Sequence, residues 1–353
     1  MHSLLSPKLA FVLACLAALA VYPLAAGSYG VDLVTKIMVY AIFALSLELL
    51  VGATGLVCFG HAAFFGIGAY AAVLGSPETD AASLAVLLAL AVGAAALYAL
   101  FMGALSLRTQ GVYFIMVTLA FAQMAYYIVH DTPLGGGTDG IYLNVKPVLG
   151  LGGQVLLDLS GAGAIYYFTF GCLVAVFGFL GLLLRSRFGR ALAGIKANEQ
   201  RMRATGFSTY PYKLAAFVLS GGIAGLAGFL FGVKDGYVNP ELMSWHLSGA
   251  VLIMIILGGL GHLRGALVGA FAFALLQEFF KSEAFFGHFA KHWHLGLGLT
   301  IIASVALLPR GLVGLPAQWR QRLEGKPSAQ RGAPGATPGA TPGATTQEAG
   351  HGR

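Results

Sequence analysis

Apolar runs that reach or approach the roughly 20 residues a helix needs to cross a bilayer recur along this chain, with the charged residues gathered between them. Ten segments stand out, at about 9–26, 31–51, 56–75, 82–105, 111–130, 164–184, 212–233, 248–260, 265–281 and 295–308. The third, eighth, ninth and tenth are short or broken by glycine, as membrane segments are where backbone lines a cavity inside the protein. The expected fold is an all-α polytopic membrane protein.

Composition agrees with that pattern. The 353 residues are 58% hydrophobic and only 10% charged, against roughly 25% charged in soluble domains. A net charge of +7 would fit nucleic-acid binding if it formed a surface patch, but the cations flank membrane segments, and the positive-inside rule accounts for them. With the N-terminus inside, ten spans put Lys8, Arg108, the cations of 185–203, Lys213, Arg264 and everything from Arg310 on the cytoplasmic side. Most of the acids then fall outside, among them Asp32, Asp131, Asp139, Asp158, Asp235 and Glu241. Both termini are therefore expected in the cytoplasm.

The domain reading is an N-terminal helix over 1–30, a transmembrane domain over 31–315 and a tail over 316–353. The first segment also has the cation, short apolar core and small residues of a cleaved signal peptide, and both readings stand. The tail carries a GATP repeat with no apolar residue larger than Ala after Leu323, and is expected to stay disordered. Cys15, Cys58 and Cys172 lie inside apolar runs at unrelated spacings, as small buried hydrophobes would.

One loop stands apart. "RSRFGRALAGIKANEQRMRATGF", residues 185–207, holds six cations (Arg185, Arg187, Arg190, Lys196, Arg201, Arg203) and one acid, Glu199. On a helix Phe188, Leu192, Ile195 and Met202 share a face, with the cations in the other directions. The amphipathic surface is expected to meet something cytoplasmic, either a headgroup layer or a partner, and Gly206 is suited to end the helix.

Here the residues resemble a family. "FGRALAGIKANEQRMRATGF", running on into "YPYKLAAFVLSGGIAGLAGFLFG", is similar to the coupling loop and following helix of LivM-type permeases of branched-chain amino-acid ABC importers. "ALSLELLVGATGLVCFGHAAFFGIGAYAA", "GVYFIMVTLAFAQMAYYIV" with its outer "GGGTDGI", and "GYVNPELMSWHLSGAVLIMIILGGLGHLRGALVGA" resemble the family in the same order, over roughly residues 30–315. Two positions depart from it: Glu48 stands where many relatives carry Asn, and Arg201-Met202 where many carry Ala-Ala.

The resemblance implies a permease subunit of the bacterial inner membrane that works by alternating access and does no covalent chemistry. ATP and Mg would bind partner ATPases, and no cofactor would bind this chain. The implied partners are a second, LivH-like permease, two cytoplasmic ATPase subunits and a periplasmic binding protein, with membrane lipid around them. The loop at 185–211 would dock in a groove of the ATPase through Arg190, Leu192, Ile195, Glu199, Arg203, Ala204 and Gly206. The solute would be a branched-chain amino acid or a similar small polar molecule.

Other residues carry separate expectations. Gly221 and Gly225, and Gly261, Gly265 and Gly269, recur at four-residue intervals, as helix-packing glycines do. Glu48 and Glu278 fall within membrane segments, where an ionisable group is a functional candidate. Glu48, His61, Gly66 and Gly68 are the candidates for the translocation path, His61 also having the reading of a hydrogen-bonded structural histidine. A second function class, a stand-alone ion-coupled carrier using Glu48 and Glu278, would leave the 185–207 loop without a task. "HDTPLGGGTDG" lacks the Lys-Ser/Thr ending of a phosphate-binding loop, and "HFAKHWH" (288–294) lacks the carboxylate or cysteine that would complete a metal site.

Overall fold

The computed structural model describes residues 18–24, 27–77, 82–151, 154–282, 291–307 and 311–314. The expectations for residues 9–17, His288, Arg310 and the tail lie outside them. The helices are α1 (Ser28–Glu48), α2 (His61–Leu74), α3 (Leu84–Ser106), α4 (Val112–Asp131), α5 (Ala162–Arg185), α6 (Arg187–Ala197), α7 (Glu199–Ala204), α8 (Thr209–Asp235), α9 (Trp245–Gly258), α10 (Leu263–Lys281) and α11 (Trp293–Leu307). Residues 18–24 are helical as well. Among the described residues seven helices are long and apolar enough to cross a membrane, and α2 and α9 are shorter apolar helices. The chain is thus an all-α polytopic membrane protein.

Two antiparallel ribbons interrupt the helices. β2 (Val148–Leu151) pairs with β3 (Gln154–Asp158), and β1 (Ile141–Tyr142) with β4 (Tyr237–Val238). Neither was legible in advance, because each lies in a loop read only as a connection.

Ion pairs and hydrogen bonds identify two ends. At one, the start of α1 meets the ends of α8 and α10: Lys234 pairs with Asp32 at 2.8 Å and with Asp235 at 2.7 Å, and the Tyr29 hydroxyl donates to Glu278. At the other, the end of α1 meets α6 and the α9–α10 turn, and the Tyr210 hydroxyl at the start of α8 donates to the Ala104 carbonyl of α3 at 2.9 Å. Most of the described cations cluster at this second, cationic end.

α1 and α8 form the core. Val39, Ala41, Ile42, Phe43, Ala44 and Leu45 of α1, and Ala224, Ala227 and Phe229 of α8, are all fully buried. Glycine lets α8 come this close to its neighbours. Gly221 faces Ala99 and Gly225 faces Ala95 on α3, while a methyl group at Gly228 would overlap the Phe65 carbonyl of α2. Gly68 of α2 packs backbone to backbone on Gly225. α9 and α10 repeat the arrangement, with Gly265 on the Gly258–Gly259 backbone and Gly269 on the Met254 carbonyl.

Gly261 does not belong to that packing stripe. It precedes α10 with φ +85°, and a methyl group added there would meet nothing within 4 Å, so it serves the turn instead.

Candidate functional site

The cationic end is built around α6 and α7. Ser186 caps α6 by accepting from the Gly189 amide, and Asn198 caps α7 by accepting from the Arg201 amide at 2.9 Å. Asn198, in extended conformation, therefore splits the 185–207 stretch into two helices where one continuous face was expected. Met202 reaches back across the break, its sulfur against Gly194. After α7 the Phe207 amide donates to the Met202 carbonyl and the Gly206 amide to the Arg203 carbonyl, with Gly206 at φ +83°. That paired closure terminates a helix, and the left-handed residue in it favours glycine.

The apolar face of α6 points inward. Leu192 is fully buried, Ile195 is 3% exposed and Ala191 is buried, on a helix that packs against α5, α8 and residues 49–54 beyond α1. Leu192 and Ile195 were expected to contact a partner. They are instead the seat of the loop on its own transmembrane body, because an apolar stripe beside a membrane bundle finds that bundle first. Outward stand Arg187, Arg190, Arg201, Ala204 and Gly206, all exposed, together with the ring of Phe207.

Glu199 ties α7 to α8. It accepts from Arg203 at 2.7 Å, from the Thr209 hydroxyl at 2.9 Å and from Lys213, while Arg203 also donates to Thr209 at 3.1 Å. Burial alone would raise this carboxyl; the bonds from Lys213 and Thr209 and the charge of Lys213, with Arg203, outweigh it and hold the group below the ordinary glutamate value. A depressed carboxyl stabilises the fold fully above its unfolded value and loses that contribution as pH falls through the folded one. Glu199→Gln is therefore expected to lower the melting temperature at neutral pH. Below the ordinary carboxylate range the difference from the parent should shrink, as melting curves across pH would show.

Glu48 lies at the same end. Only 2% exposed, at the last turn of α1, it accepts from the Gly261 amide at 2.6 Å, and its second oxygen has no partner among the described residues. The chain then continues as a π-helix, Leu49–Thr54, closed by Gly55 at φ +78°. Such segments are rare and concentrate at functional positions.

His61 is fully buried between Phe43 and Phe64, with Nε2 2.7 Å from the Ser46 hydroxyl. That hydroxyl already donates to the Phe43 carbonyl at 2.6 Å, so Nε2 carries the proton and donates to it. Nearby, Ser248 accepts from the Ala62 amide at 2.9 Å, and Ser220 donates to the Ser46 carbonyl at 2.5 Å. His61 thus ties α1 to α2 within a polar cluster that also engages α8 and α9. Ser46, Ser220 and Ser248 had no signal in a sequence where serines are scattered; only the pairing reveals them.

Glu278 bonds Tyr29 at the opposite end from Glu48, so the two carboxylates are not brought together. Gly66 packs against Met243, and Gly68 against α8, as helix contacts. A shallow hollow of about 580 Å³ follows the exposed side of α4 past Ala120, Gln123 and Tyr127.

Comparison with known proteins supplies what geometry does not. Residues 29–305 match the family model described as branched-chain amino acid transport system / permease component. The chain is 29% identical over 346 residues to the high-affinity branched-chain amino acid transport system permease protein LivM of Escherichia coli strain K12, covering 91% of this chain and 78% of that one. It is 30% identical over 327 residues to LivM of Salmonella typhimurium strain LT2, covering 86% of this chain and 74% of the relative. The autoinducer 2 import system permease protein LsrC of Salmonella typhi is 29% identical over 201 residues, about half of each chain. No solved structure matches.

Proposed function

The chain belongs to the permease components of branched-chain amino acid transport systems, and from that premise we propose that it carries leucine-like amino acids across the bacterial inner membrane. It is a transport subunit of an ABC importer, so the stand-alone carrier is set aside. In this reading a LivH-like second permease completes the membrane unit. Two ATPase subunits bind below it and a periplasmic binding protein delivers the solute above. The cationic end is cytoplasmic, both termini with it.

The observation that carries the reading is the construction of α6 and α7. The apolar side of α6 is seated on residues 49–54 and α8, Glu199 braces α7 to α8, and Arg187, Arg190 and Arg201 stand exposed on a segment stopped by Gly206. A segment so fixed transmits displacement to the bundle, and its cationic rim fits an acidic groove on a nucleotide-driven partner. Rim charges chiefly govern encounter and orientation.

The test is reconstitution of the complete importer, with leucine as the solute. Parent vesicles should accumulate leucine only with ATP and the binding protein. Arg187→Glu with Arg190→Glu should weaken retention of the ATPase subunits by roughly tenfold while insertion is unchanged, as two lost rim contacts would. Full retention and full transport in that variant would remove the docking role of this face.

A further inference from the structure

We propose that Glu48 is the positioning residue through which movement of α6 reaches the α9–α10 turn, a role that rests on α6 being the ATPase contact. Three links in series make the case. Lys196 of α6 donates to the Gly52 carbonyl, inside the π-helix, at 2.7 Å, and its stem lies over Gly55, 3.4 Å from where a methyl group would stand. Within the π-helix, Gly52 carries the Glu48 carboxylate directly above it, in space that any larger residue would fill. Glu48 then accepts from the Gly261 amide at 2.6 Å.

The chain of contacts crosses from the loop to α1 and from α1 to the α9–α10 turn, without passing through the apolar core. The turn contains Gly259 at φ +115° and Gly261 at φ +85°, and α9 and α10 approach backbone to backbone where Gly265 meets Gly258 and Gly269 meets the Met254 carbonyl, as small residues allow. Between the two ends Gly52 lies within the π-helix, a register seen mostly as single-turn insertions, frequently at functional sites.

A buried carboxylate with one oxygen bonded and the other unpartnered is costly to keep for packing alone. An amide acceptor at the same place satisfies the Gly261 N–H equally well, whereas a truncated side chain abandons it. This separates transmission, which needs the acceptor, from solute contact, which would need the charge.

The experiment uses the reconstituted importer with leucine, and spin labels at Ala197→Cys or Leu260→Cys, each measured against Leu97→Cys on α3, with the native cysteines replaced; Ala197 is exposed at the end of α6 and leaves the docking arginines in place. In the parent, ATP with vanadate should displace both positions 197 and 260. In Glu48→Ala, position 197 should still move and ATP hydrolysis persist, while position 260 stays and leucine uptake falls about tenfold or more. Gly52→Ala should act like Glu48→Ala, and Glu48→Gln should keep at least half of parental uptake with an unchanged leucine KM. Equal displacement of position 260 in Glu48→Ala and the parent overturns the proposal, as does a changed leucine KM in Glu48→Gln. Immobility of position 197 in the parent overturns the ATPase-docking reading itself.

Discussion

Replacing Gly228 with alanine is expected to leave little folded protein in the membrane. The added methyl group would meet the Phe65 carbonyl oxygen and the Ala69 amide, which belong to the backbone of α2 and have no rotamer to change. Overpacking a core costs typically 1–3 kcal/mol, and here the larger value, about 3 kcal/mol, applies because only helix separation relieves it. α8 sits between α2 and α3, with Gly225 and Gly221 against Ala95 and Ala99, so a shift toward one neighbour opens a void against the other. Detergent-solubilised protein assayed by size exclusion should show aggregation, or a melting temperature lowered by several degrees. Gly163→Ala, a position with nothing within 4 Å, is the control. Parental behaviour of Gly228→Ala would mean that the helices are not held at this distance.

Ile195→Asp should have the second largest effect, for a different reason. Ile195 is 3% exposed on the inner face of α6, and a carboxylate there would be taken out of water into a place now filled by an apolar side chain. Burying an unpaired charge costs several kcal/mol, more than α6 gains from its Ser186 cap at roughly 1 kcal/mol. The helix should leave its seat while the long membrane helices, whose contacts lie elsewhere, remain inserted. Proteolysis at the exposed arginines should become faster, and leucine-stimulated ATP hydrolysis in the assembled importer should be lost. Ala193→Asp places the same charge two residues away on the exposed side, where surface substitutions stay within about 0.5 kcal/mol. If both variants resist protease equally, the apolar stripe is not what holds the loop.

The sequence made the membrane architecture plain, because a hydrophobic run is a property of consecutive residues. The span expected at 82–105 appears as Leu84–Ser106, and the one at 164–184 as Ala162–Arg185. The third began later than expected: residues 55–60 are not helical and α2 starts only at His61. Hydropathy cannot distinguish a helix from a buried loop when both are apolar.

The loop at 185–207 was visible as amphipathic, but its inward direction was not, since a helical stripe records only that something apolar lies beside it. Asn198 broke the helix through a side-chain cap three residues long, a feature also compatible with continuation. Glu48 was conspicuous as an acid in an apolar run, yet its partner Gly261 lies 213 residues away and contributes a main-chain amide. No residue type signals that. Lys36, exposed on the otherwise mostly buried α1, gives no signal either, because one cation hardly alters the mean of so long a run.

The fastening of α1 at its acidic end has a mechanical corollary. Lys234 holds Asp32, and Tyr29 holds Glu278, so the first turn of α1 is pinned to α8 and α10 together. A rod pinned at one tip and pushed at the other swings about the pin. Over the 27 residues from Ser28 to Thr54, about 40 Å of helix, a swing of about 5° carries the far tip through about 3.5 Å. Amplitude should therefore fade steadily along α1 from Thr54 toward Ser28, with the aromatic residues near Tyr40 travelling about half that arc.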